Sequence, residues 1–141
     1  MANDSGLVAD EYVVIFAAVA NWILVVEDDI EARQGMVDFL TDAGFSVLAA
    51  ERVEDAFEVL MEKRPSLVLS DIDLGDHHGG ELLDMAMKIL GIDAPPFVFV
   101  TGVPVSEVPE FSAPTPILRK PVDVQALLAL AMKHCLPAKS S

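Results

Sequence analysis

Basic side chains are scarce in this sequence: 9 Lys and Arg stand against 23 Asp and Glu, a formal charge of -14 over 141 residues, and none precedes Arg33. So acidic a chain repels phosphate backbones and anionic lipid, which argues against direct nucleic-acid or membrane-surface binding and for a cationic partner or a bound metal. Cysteine occurs once, at Cys135, so no internal disulfide can form; the thiol reads as a small hydrophobe at a helix end. Long hydrophobic runs are also missing. The apolar stretch from Tyr12 to Val26 is interrupted by Asn21 and falls short of the roughly 20 residues a membrane span requires. Ala18-Val19-Ala20 has the small-residue spacing of a leader cleavage site, but the preceding residues carry no positive charge. A cytoplasmic protein is therefore expected.

The length suits one domain with a sizeable core. Residues 1–20 form an extension, read either as an extra strand or helix packed on the domain or as an element for self-association into a homodimer; residues 137–141 form a tail. Between them, residues 21–136 alternate strand and helix about five times. The segments Trp22 to Val26, Phe45 to Ala50, Leu67 to Leu69, Phe97 to Thr101 and Ile117 to Arg119 read as strands, the first and third being uninterrupted apolar runs of the kind covered by helices on both faces. Helical stripes include Ile30, Met36, Val37 and Leu40 before Gly44; Val53, Ala56, Phe57 and Leu60 before Pro65; and Leu82 to Leu90 before Gly91. Asp123 is expected to cap a last helix through His134, with Val124, Leu127, Leu128, Leu130 and Ala131 on its buried side. Residues 75–80 read as a glycine-rich loop. The fold class that follows is α/β, a doubly wound five-stranded parallel sheet.

One helix is expected to be missing or degenerate. Pro104, Pro109, Pro114 and Pro116 divide the connection between the fourth and fifth strands, and an interior proline costs a helix about 3 kcal/mol.

Right-handed crossovers bring every strand's carboxyl end to one edge of such a sheet. On that edge fall Glu27-Asp28-Asp29, Asp71-Ile72-Asp73, Thr101 and Lys120. Two unit charges about 4 Å apart interact by roughly 4 kcal/mol at an effective dielectric of about 20, so converging carboxylates call for a cation. An all-oxygen donor set suits Mg²⁺ or Mn²⁺. With Lys120 as a second positive charge and Thr101 as a hydroxyl, the group describes a phosphoryl-accepting site in which Asp71 is the nucleophile.

The ordered set Ile23 to Asp29, Leu69-Ser70-Asp71, Val100-Thr101 and Lys120-Pro121 resembles the receiver domain of two-component response regulators, the CheY-like superfamily, over residues 21 to 135. The resemblance implies a flavodoxin-like fold with strand order 2-1-3-4-5. It further implies Asp71 as phosphoacceptor, Thr101 as switch hydroxyl, Lys120 as the site lysine, and metal held by Glu27, Asp28, Asp71 and the backbone carbonyl of Asp73. A histidine kinase or histidine phosphotransfer protein is the implied donor. Since only Leu136 to Ser141 follow the last helix, output is expected through a downstream protein partner, with Thr101, Lys120 and residues 102–116 responding to phosphorylation.

Three departures bear on output: Gly102 replaces a small alanine or serine, Gly75 a common proline, and Ile117 a mobile aromatic. The run Pro96 to Gly102 resembles the PFxFATG motif of the FAT GUY subgroup of alphaproteobacterial receivers, with Val100 in place of its alanine and Val103 of its aromatic. That likeness implies stress-response signalling or phosphate shuttling. Other functions share fragments of the pattern. A haloacid-dehalogenase-type phosphatase also uses a DxD strand end, but the order of the acids differs and no cap domain is expected. A toprim-type nuclease combines a glutamate with a later DxD, which the acidic balance disfavours. The remaining alternative is a receiver-like binding module that is not phosphorylated. His77 and His78 read as solvated loop residues or metal ligands, and His134 as a charge opposing a helix dipole.

Overall fold

The computed structural model describes residues 21–74, 77–108 and 115–135. The extension 1–20, the tail, Gly75, Pro109 and Pro114 lie outside the described residues, and so do the roles expected of them. Five parallel strands form the sheet: β1 Trp22–Val26, β2 Ser46–Ala50, β3 Leu67–Asp71, β4 Phe97–Thr101 and β5 Ile117–Arg119. Their spatial order is β2-β1-β3-β4-β5, the 2-1-3-4-5 order of a flavodoxin-like fold. Four α-helices are described: α1 Ile30–Asp42, α2 Val53–Lys63, α3 Gly79–Leu90 and α4 Val124–His134.

Alternation along the central strands divides the core in two. Leu24, Val26, Val68, Phe97 and Phe99 meet Val53, Ala56 and Leu60 of α2 and Leu82, Leu83 and Ala86 of α3. The intervening residues Ile23, Val25, Leu67, Leu69, Val98 and Val100 meet Met36 and Leu40 of α1 and Leu127 and Ala131 of α4. Both faces are covered, which is why these strands run apolar without alternation through Val26, Leu69 and Val100, with polar residues only at the carboxyl ends of β3 and β4. Burial pushes the Cys135 thiol up to about 11, consistent with a structural residue at the end of α4.

Several sequence expectations change. Ile30 and Val124, expected on buried helix faces, are 67% and 50% exposed, because each opens its helix beyond the strand ends. Residues 75–80 are not wholly loop: Asp73–Leu74 pairs antiparallel with His77–His78, and α3 begins at Gly79. His78 accepts a hydrogen bond from the Gly80 N–H at 2.9 Å through Nδ1, so it caps α3 rather than standing as a free loop residue. At the end of α4, burial followed by the Lys133 charge lowers the His134 pKa, weakening the dipole role expected of a charged imidazole. Between β4 and β5 the described backbone contains one 3-10 turn, Val105–Glu107.

Candidate functional site

β3 is the centre of the site because it lies between β1 and β4 and is buried throughout. Its register, Val26 opposite Ser70 and Asp71 opposite Val100, brings the residues following β1 and ending β4 alongside Asp71. Asp71 is 7% exposed. Its Oδ1 accepts from the Asp73 N–H at 3.1 Å, and its carbonyl from the Ser70 hydroxyl at 2.9 Å.

Glu27 follows β1 and is 1% exposed. The Glu27 N–H donates to the Ala50 carbonyl at 3.1 Å, carrying the β1–β2 ladder one residue further. The chain then turns into α1, where the Asp29 N–H donates to Glu27 Oε2 at 3.2 Å and Asp29 Oδ2 accepts from the Ala32 N–H at 2.8 Å. Asp29 is thus a helix cap, while the intervening Asp28 is exposed and joins the acidic group. Oxygens of Glu27, Asp28 and Asp71 lie within 4.8 Å of one another.

Lys120, just after β5, spans the two buried acids: Nζ lies 2.7 Å from Glu27 Oε1 and 2.8 Å from Asp71 Oδ2. Its backbone N–H donates to the Thr101 carbonyl at 2.8 Å, and its bond to Pro121 is cis. Burial disfavours the ammonium, but hydrogen bonding and attraction from Asp71 and Glu27 outweigh it, raising the Lys120 pKa. For Glu27 the balance goes the other way. Desolvation, aided by the neighbouring Asp71 charge, prevails over Lys120 and raises its pKa to about 7.

Four of the expected residues, Glu27, Asp28, Asp71 and Lys120, therefore converge. Thr101 is buried at the end of β4, and its hydroxyl accepts from the Val103 N–H at 3.0 Å. Asp73 is exposed and touches Asp71 through its N–H. Three clustered carboxylates with one lysine have oxygen donors and surplus negative charge, so the residues present fit a hard divalent cation. Gly102 is compatible with a side chain, since a Cβ there would meet Lys120 Cβ at 3.8 Å. Ile117, half-buried, packs against the core layer shared by α2 and α3.

Sequence reasoning missed the Glu27–Lys120 contact and a contribution from Arg33, whose Nη1 donates to the Glu27 carbonyl at 2.8 Å. The only signal for Arg33 was its place as the first basic residue, shortly after the acid pair.

Comparison with known proteins gives the same frame. The model of the response regulator receiver domain family matches residues 23–131. An uncharacterised protein of Leptolyngbya boryana is 29% identical over 117 residues, covering 81% of this chain and 89% of the relative. The sensory transduction protein LytT of Bacillus cereus is 37% identical over 82 residues, 57% of this chain but 32% of LytT, so the match spans about a third of that relative. A CheY-like receiver domain protein from Methanospirillum hungatei has a solved structure that superposes with a TM-score of 0.72 at 28% identity, covering 81% of this chain and 92% of the other. With a family model covering most of its length and a sheet, an acid cluster and a lysine in corresponding order, the chain belongs to the response regulator receiver domain family.

Proposed function

We propose that residues 21–136 receive a phosphoryl group on Asp71 from a phosphohistidine of a histidine kinase or phosphotransfer protein, in a reaction that requires Mg²⁺ or Mn²⁺. The observation carrying this reading is Lys120 Nζ, held between Glu27 and Asp71 inside an all-oxygen cluster. A carboxylate oxygen of Asp71 forms the new bond to phosphorus as the donor's P–N bond breaks, and the imidazole nitrogen leaves with that electron pair. Lys120, already at the attacking carboxylate, stabilises the charge of the transferred group. Glu27, Asp28, Asp71 and the Asp73 carbonyl would hold the metal, whose chemistry is to neutralise phosphoryl oxygens. Thr101, at the end of the neighbouring strand, is the proposed hydroxyl partner of the phosphoryl group.

The domain is accordingly a phosphoacceptor rather than an enzyme with a separate substrate. It signals to a downstream protein partner, and its donor places it in the cytoplasm. Membership of the FAT GUY subgroup rests on the Pro96 to Gly102 run alone and forms no part of this reading.

Incubation with a small phosphodonor and Mg²⁺, followed by intact mass measurement, tests the proposal. The expected result is a gain of one phosphoryl group in the native chain, none in Asp71→Asn, and suppression by a chelator. An equal gain in both proteins would sink it. No gain in either would favour the receiver-like binding module.

A further inference from the structure

We propose that Arg33 is a positioning residue for the cation site: its guanidinium fixes the turn that carries Glu27 and Asp28. This inference rests on the metal-dependent reading above.

The physical need arises where β1 ends. The Glu27 N–H still bonds to β2, but β1's described pairing with β3 stops at Val26. The Glu27 carbonyl therefore leaves the ladder in a residue that is 1% exposed, and a buried carbonyl requires a donor. Arg33 supplies one. It is half-buried on the first turns of α1, and its Nη1 reaches back six residues to that oxygen at 2.8 Å. The same residue is anchored through its own backbone, its N–H donating to the Asp29 carbonyl at 2.9 Å.

Together with the Asp29 bonds to Glu27 Oε2 and the Ala32 N–H, these contacts close around Asp28. Asp28 is the exposed member of the acid cluster, so its placement depends on the turn rather than on packing. A ligand that must be arranged after the cation arrives binds it more weakly than one already in place. Partners that orient metal ligands commonly contribute about tenfold or more to affinity.

Arg33 also has a charge, and this makes the test directional. Were it only a nearby positive charge, removing it would tighten cation binding, because it repels the ion. A positioning role predicts the opposite sign. Calorimetric titration of Mg²⁺ into the full, unphosphorylated chain should show affinity falling on the order of tenfold in Arg33→Ala. Arg33→Gln, which keeps part of the stem but loses the reach and charge, should weaken binding similarly and carries the test should the alanine variant not fold. Arg33→Lys, retaining charge and a donor, should recover part of the affinity. Far-UV circular dichroism establishes that each variant is folded. Unchanged or tighter Mg²⁺ binding by a folded neutral variant overturns this inference alone. A native chain that takes no Mg²⁺ overturns the metal-dependent reading and this inference with it.

Discussion

Glu27 is the residue at which the site's opposing forces are most evident. Burial favours its protonated form, whereas Lys120 at 2.7 Å favours the anion, and burial prevails to raise the pKa to about 7. A native state that holds this proton while the unfolded chain has released it gains stability from acid. The contribution is fully present below the unfolded value of 4.5 and is lost as pH rises through about 7. Lys120 stays charged through that range: its raised pKa gives stability that is fully present below 10.5 and lost as pH rises through the higher folded value. In metal-free protein, Glu27→Gln should therefore flatten the stability profile. Urea midpoints taken between about pH 5 and pH 8 should show the native chain losing ground steadily to the variant as pH rises. A constant difference would contradict the assigned burial effect. At this scale Asp71 was legible because an uncharged run ends in an acid, and Lys120 because it follows the last strand. Arg33 and His78 were not, since each acts on a backbone group brought near by a turn, which no hydropathy pattern encodes.

Among the elements, the two core layers follow directly from the apolar strands and helix stripes, and Asp123 caps α4 as expected, accepting from the Gln125 N–H at 2.9 Å. The start of α3 was hidden by composition. Gly79-Gly80 has weak helix propensity and reads as loop, yet the His78 cap and the buried stripe Leu82, Leu83 and Ala86 offset that preference. Gly35 poses a converse case on α1. It is exposed, has ordinary negative φ and would meet nothing within 4 Å if given a Cβ, so neither sterics nor backbone conformation requires glycine. It lines a cavity of about 300 Å³ between α1 and α4 with Ala32, Phe39 and Val124. Gly35→Ala should stabilise the chain by up to about 1 kcal/mol, the propensity difference in a helix interior. A rise of a few degrees in the thermal midpoint is expected, and a fall would indicate that the open space is illusory.

For the molecule as a whole, a formal charge of -14 means that self-repulsion opposes the compact state. Salt should relieve part of this by screening, whereas a specific cation should do more by binding the native state alone. Thermal midpoints in MgCl₂ should therefore exceed those in NaCl at matched ionic strength, with the excess growing logarithmically with Mg²⁺ above its dissociation constant. Coincident midpoints would leave only screening. The sequence by itself determined the α/β class, the order in which acids, hydroxyl and lysine follow their strands, and the interrupted connection before β5. These are one-dimensional properties, set by hydrophobic period and by which residue ends each run. Only the tertiary structure decided that Lys120 spans Glu27 and Asp71, that Asp29 caps a helix while Asp28 joins the cluster, and that Arg33 returns to the Glu27 carbonyl. Those outcomes depend on distances of a few ångströms between residues up to 93 positions apart, which strand register and helix packing set together.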